Sequence, residues 1–280
     1  MAARATCWKS HFQSEGITKH SSGQEVTTGR TFKVPGFTLI ELLLVTAILG
    51  LLAAMLVPAT ARVQSKAKVQ RARLEIDQIV TAIMEYELTY GRFPVSPQVR
   101  GLTATLGEDV TYGGVIEETG LWIAGPERYR TNNAEVMAPL LDLEQYGDGV
   151  PTINQGHVLN PHQLRFLQAT MAGGTNAAPG VGIDGIYRDP WGSPYVVTID
   201  LNTDGRARDF FYREPAVSGD RQNPGRGLNG LVRNLDSAGN VVFEAPVPVM
   251  VWSAGPDRHL DSAASANEGV NRDNVLSWKR

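Results

Sequence analysis

One glutamate sits where charge is expensive. From Phe37 to Val57 the chain runs twenty-one residues with Glu41 as the only charged side chain. An unpaired carboxylate buried in lipid costs roughly 3 kcal/mol on insertion scales, so Glu41 calls for a cation. A second group of residues has the types that bind metal. His157 and His162 lie five apart, with Asp142 and Glu144 upstream. Zinc would need a third convergent ligand and tight local geometry. Two histidines in a Pro/Gly-rich stretch read first as surface or packing residues.

A third group is Asp200-x-Asn202-x-Asp204-Gly205, which matches the first half of an EF-hand-type calcium loop. The acidic twelfth position would fall on Phe211, which cannot ligate, so a plain turn is the reading. No nucleophile elbow, metal-ligand triad or phosphate loop stands out, and the chain reads as a non-enzyme. The competing reading is a membrane-tethered enzyme or binding module using Asp257, Asp261, Asp273 or the histidines.

The elements that must position these residues follow from patterning. The apolar run matches the ~20 residues a helix needs to cross a ~30 Å hydrocarbon core. Three readings compete for it: a secretory signal peptide cut near Ala59-Thr60-Ala61, an uncut anchor, and a segment cut before the run. Past Pro58 the pattern turns amphipathic. Val63, Ala67, Leu74, Ile76, Ile79, Val80, Ile83, Tyr86 and Tyr90 recur mostly at three- and four-residue steps. Pro58 is expected to kink or locally melt the helix, and Gly91 to stop it. Charge is distributed unusually. Lys19, Arg30 and Lys33 precede the run, but Arg62, Lys66, Lys68, Arg71 and Arg73 follow it. The positive-inside rule alone favours the reverse orientation.

Composition limits the rest. The 280 residues carry a net charge of −3, which argues against broad nucleic-acid binding. The only cysteine is Cys7, so no intramolecular disulfide forms. Residues 92–185 offer two short helices, over Asn133–Tyr146 and Pro161–Leu167, and read as a variable connecting region. Strands are expected at Pro194–Ile199, at Asp209–Arg213 as its partner through Asn202–Gly205, at Val241–Phe243 and at Val247–Trp252. The fold class is α+β. A long N-terminal helix, transmembrane in its first half and amphipathic in its second, packs on a small antiparallel sheet.

Lys33-Val34-Pro35-Gly36 followed by Phe37-Thr38-Leu39-Ile40-Glu41 resembles the leader of type IV pilins and type II secretion pseudopilins. Asp189-Pro190-Trp191-Gly192-Ser193-Pro194-Tyr195 is similar to a turn of the major pseudopilin. So is the loop from Trp252-Ser253-Ala254-Gly255-Pro256-Asp257 to Asp273 and Trp278. The resemblance implies a cytoplasmic leader, residues 1–36, cut by a prepilin peptidase between Gly36 and Phe37, with methylation of the new amine. It implies a long helix over 37–90 with its transmembrane segment at 37–57. A periplasmic globular domain over 91–280 follows, with the sheet and C-terminal loop in 186–280. It implies an inner-membrane subunit that polymerises, Glu41 pairing with the Phe37 amine of a neighbour. The partners implied are copies of itself, other pseudopilins and inner-membrane secretion assembly proteins. Calcium is the implied ion, with Asp257 and Asp273 as matched ligands and Asp261 added by proximity.

Overall fold

The computed structural model describes residues 36–106, 108–113, 115–116, 121–122, 132–174 and 178–279, with backbone alone at 55–62, 102–106, 115–116 and 121–122. The expected leader, apart from Gly36, lies outside the described residues. The chain divides into two compact units, Met1–Ala53 and Ala54–Arg280.

Helix α1 runs over Leu39–Tyr90, 52 residues. It is helical through Pro58, so the expected melting at that residue does not occur. It stops where Gly91 takes φ +63° and its N–H reaches Glu87 O at 2.7 Å. That left-handed cap satisfies a terminal carbonyl at little cost to glycine. The buried stripe is Ala72, Ile76, Ile79, Ile83 and Tyr86, steps of four and three. Val63 and Leu74, expected on that stripe, are exposed. Leu74 sits two residues out of phase, about 200° around the helix from Ala72.

Then follow α2 (Pro97–Leu106), β1 (Val110–Tyr112), β2 (Val115–Ile116), β3 (Leu121–Trp122), α3 (Ala134–Leu141), β4 (Gly180–Val181), β5 (Tyr187–Arg188) and β6 (Val196–Ile199). After them come α4 (Pro215–Ser218), β7 (Val232–Leu235), β8 (Val241–Glu244), β9 (Val249–Ser253) and β10 (Val275–Leu276). The main sheet has the order β1-β6-β9-β10 and is antiparallel throughout. Among the described residues three two-stranded antiparallel pairs accompany it: β2 with β3, β4 with β5, and β7 with β8.

Strand alternation sends side chains into two cores. Val197, Ile199, Val249 and Val251 share one core with the stripe of α1 and with Met137 and Leu140 of α3. Val196, Met250 and Trp252 share the other with Phe211, Tyr212, Phe243 and Ala254. The sheet is therefore covered on both faces. Glu75 of α1 is buried and accepts a hydrogen bond from the Tyr195 hydroxyl at 2.6 Å, with Arg71 also bonded to it at 2.8 Å. A buried carboxylate with two partners is tolerated where a bare one is not.

Two expectations need correction. Asp209–Arg213 is a turn, and the partners of β6 are β1 and β9. The Asp209 carboxylate accepts the Phe211 and Tyr212 amides, each at 2.9 Å, and this local bonding displaces a strand ladder. Pro161–Leu167 is not helical. The Asn160 side chain takes both Leu164 N–H and Leu164 O, and Leu167 N–H bonds across to Leu140 O. The 92–185 region supplies β1, an edge strand of the main sheet.

Candidate functional site

The N-terminal site is built from Thr38 and Glu41. Thr38 precedes α1, and its Oγ1 accepts the Glu41 N–H at 3.3 Å. The Glu41 carboxylate reaches back, accepting the Thr38 N–H at 2.9 Å and the Thr38 hydroxyl at 2.7 Å through Oε2. This is a capping box, with threonine at the cap and glutamate three residues in. It satisfies amides that the first turn leaves without partners. It also gives the carboxylate two donors from its own chain. The S/T-x-x-E spacing was the signal, and it lies inside the motif already singled out. Gly36 and Phe37 are both exposed, with Phe37 at 77%. Among the described residues no helix is long and apolar enough to cross a membrane. The last three residues of the apolar run, 55–57, have no described side chains.

The C-terminal site joins two turns distant in sequence. Asp189 is fully buried and accepts the Trp191 and Ser193 amides at 2.9 Å, through Oδ1. Through Oδ2 it accepts the Ser253 hydroxyl at 2.5 Å. Burial pushes its carboxyl up to about 6, against the lowering effect of these donors. Ser253 in turn accepts the Gly255 amide at 3.0 Å. Gly255 has φ +74°, and a Cβ there would lie 2.4 Å from Asp273 O. Only glycine fits, so the Ser253–Asp257 turn is seated directly on Asp273.

Asp273 Oδ1 is buried without a hydrogen-bond partner, and so is Asn274 Oδ1. The Asn274 amide nitrogen donates to Tyr212 Oη at 2.9 Å, which fixes the side chain. Burial and then the neighbouring Asp257 carboxylate raise the Asp273 pKa. Asp257 accepts the His259 amide at 2.9 Å. Asp261 accepts the Ala263 amide at 2.8 Å, and its own N–H bonds to Asn271 at 3.0 Å. Among the described residues, Asp257, Asp261 and Asp273 do not converge as a three-ligand set. Asp273 and Asn274 each hold a buried oxygen without a partner, and the Asp257 carboxylate interacts with Asp273; oxygens of this kind suit a hard cation. Asp257 is the carboxylate that interacts with Asp273, whereas Asp261 bonds within its own turn and to Asn271. Asn274 was missed in the sequence because nothing local marks which asparagine has an unbonded oxygen. Alongside runs a groove of about 1070 Å³, bounded by Arg73, Asp77 and Met84 of α1 and by Asp273 and Trp278.

The other candidates resolve differently. His157 lies between two carboxylates, with Nδ1 2.8 Å from Asp142 Oδ1 and Nε2 3.2 Å from Glu144 Oε1. The carboxylates take opposite nitrogens of the ring, so they cannot close on one metal together with it. They favour the imidazolium, and the Asp142 bond foremost raises the His157 pKa. His162 instead packs against Tyr90 with the rings tilted at 47° and centroids 5.4 Å apart. Asp200 accepts the Asp204 and Gly205 amides at 3.3 and 2.8 Å, making 200–205 a self-closed turn.

Comparison with known proteins bears on the first site. Residues 32–57 match the model of the prokaryotic N-terminal methylation motif. That span contains Gly36, Phe37 and Glu41. The chain is similar to the type IV major pilin protein PilE1 of Neisseria gonorrhoeae, 39% identical over 69 residues, 25% of this chain and 42% of that protein. It is similar to a fimbrial protein of Neisseria meningitidis serogroup B, 44% identical over 59 residues, 21% and 35% of the two chains. It is also similar to the type II secretion system core protein G of Pseudomonas aeruginosa, 41% identical over 63 residues, 22% and 44%. The matches span less than half the length of these relatives. No solved structure matches the chain.

Proposed function

We propose that this pilin-like chain is a structural subunit of a type II secretion pseudopilus, and that it has no chemistry of its own. The observation that carries the reading is the methylation-motif match at residues 32–57, with Glu41 held at the first turn of α1. A prepilin peptidase hydrolyses the Gly36–Phe37 peptide bond on the cytoplasmic side, and the freed Phe37 amine is methylated. The run from Phe37 anchors the subunit once in the inner membrane, with the globular domain in the periplasm. Assembly then moves the run from lipid into the fibre core.

Glu41 has a direct role in that transfer. Thr38 satisfies part of the carboxylate while the subunit is alone. In the fibre, the cationic Phe37 amine of a neighbour adds a charge-assisted partner, which is stronger than a neutral donor. The pairing sets the axial register of adjacent helices, as a buried polar group does in a coiled coil. Secretion, rather than an extracellular pilus, is supported by the C-terminal turns that resemble the major pseudopilin. Asp189 and Ser253 bond those turns to each other. The fimbrial relatives favour the second reading, a type IV pilus subunit or minor pilin.

In the same reading Asp257 and Asp273 hold calcium, with Asn274 as an added oxygen ligand. The ion supplies positive charge between like carboxylates and orders a loop that has no disulfide.

The test is expression of the full chain with and without a prepilin peptidase, followed by mass spectrometry of the mature N-terminus. The expected product starts at N-methylated Phe37. An uncut chain, or one cut after Ala61, sinks the proposal. Restoring secretion or restoring piliation in a strain lacking the corresponding subunit separates the two fibres.

A further inference from the structure

We propose that Lys66 and Lys68 bind anionic phospholipid headgroups of the leaflet that faces the globular domain. The proposal rests on the membrane reading above. Between Pro58 and Leu74 there is no acidic residue, while Arg62, Lys66, Lys68, Arg71 and Arg73 are basic. Five positive charges on one helical stretch repel each other and oppose the orientation set by the leader. Something anionic must offset them.

The structure narrows which of them are free. Arg71 is bonded to Glu75 at 2.8 Å. Lys66, Lys68 and Arg73 are exposed, and among the described residues they make no hydrogen bond or ion pair. The side chain of Arg62 is outside the description.

Distance then separates the lysines from Arg73. Lys66, Lys68 and Arg73 follow Val57 by nine, eleven and sixteen residues of continuous helix. At 1.5 Å per residue these are about 14, 17 and 24 Å past the apolar run. The headgroup layer extends about 5–8 Å beyond the hydrocarbon. Lysine stems reach back toward such a layer, leaving the ammonium among phosphates. The two lysines thus come within about one Debye length, ~8 Å, of the anionic surface, and Arg73 stands about two away. An acidic protein surface would have no reason to distinguish the lysines from Arg73 on this scale.

The binding has a use in the proposed cycle. It holds the membrane-resident subunit at fixed depth, and it is released when the helix leaves the bilayer for the fibre.

The full chain is reconstituted in bilayers of equimolar phosphatidylglycerol and phosphatidylethanolamine, washed with carbonate, then extracted in mild detergent. Lipid that copurifies is counted by mass spectrometry for wild type, for the Lys66→Gln/Lys68→Gln double variant and for Arg73→Gln. Glutamine at exposed helix positions keeps near-lysine helix propensity, so the fold is retained. The expected result is roughly tenfold enrichment of phosphatidylglycerol in wild type and in Arg73→Gln, falling below about threefold in the lysine double variant. Equal enrichment in all three, or equal loss in both variants, overturns the proposal. Loss of wild type in the carbonate wash overturns the membrane reading itself, and this proposal with it.

Discussion

Asp189 and Ser253 are 64 residues apart, and the serine hydroxyl donates to the buried Asp189 carboxyl at 2.5 Å. The same serine oxygen accepts the Gly255 amide. One side chain therefore locks the turn before β6 to the turn after β9. Ser253→Ala leaves a buried acceptor and a buried amide each short of a partner. The expected cost is about 1–3 kcal/mol, read by urea unfolding. An unchanged midpoint would remove Ser253 from this role.

The same carboxyl predicts a pH dependence. Its folded pKa is raised to about 6, above the ordinary aspartate value. The protonated form therefore binds the fold better. This contribution is fully present below about pH 4 and is lost as pH rises through about 6, by up to roughly 3 kcal/mol. Asp189→Asn is expected to flatten that part of the stability profile between pH 4 and 7. A profile of equal slope in the variant would contradict the assignment.

Thr38 and Glu41 make separable predictions. Thr38→Ala removes the cap and is expected to fray the first turn of α1, at about 1 kcal/mol. Glu41→Gln keeps a group able to accept the Thr38 amide but loses the charge for a neighbour's amine. In cells, Glu41→Gln should leave monomer levels near wild type while fibre yield falls at least tenfold. Normal fibres from Glu41→Gln would show that the charge is not the assembly device.

His157 should stiffen its loop at low pH. Its pKa is raised, chiefly by the bond to Asp142. A raised histidine gives a contribution that is complete below the unfolded value near 6.5 and fades as pH rises through the folded one. Amide exchange at Leu159 and Asn160 should be faster in His157→Gln than in wild type at pH 5.5. The two should agree by pH 8.5. A difference that persists at high pH would make the contact one of packing alone.

Calcium is tested by stability. Millimolar calcium should raise the melting temperature of the wild-type chain by several degrees, as any ligand of the native state does. Asp273→Ala should abolish the shift, Asn274→Ala should reduce it, and Asp261→Ala should leave it. A shift lost in Asp261→Ala but kept in Asn274→Ala would put Asp261, and not Asn274, among the ligands.

Some of this protein is written locally. The apolar run with one glutamate, the three-and-four stepping of Ile76, Ile79 and Ile83, and the stop at Gly91 each depend on neighbours within a few residues. Helix periodicity and glycine's access to positive φ make them legible in one dimension. The capping box is also local, since Thr38 and Glu41 are three apart. Other features come from the tertiary structure alone. That Val110–Tyr112 becomes an edge strand depends on Val197–Ile199 lying alongside, with Thr111 paired to Thr198 far along the chain. Short apolar runs do not state their partners. Asp209–Arg213 has strand composition, yet the Asp209 carboxyl also bonds Thr198 and Trp252, and the fold keeps the turn. The pairing of Asp142 with His157, and the unbonded oxygens of Asp273 and Asn274, arise only when distant segments meet. Sequence specifies what a side chain can do within its own turn of backbone. Which polar atoms find partners is a property of the packed chain.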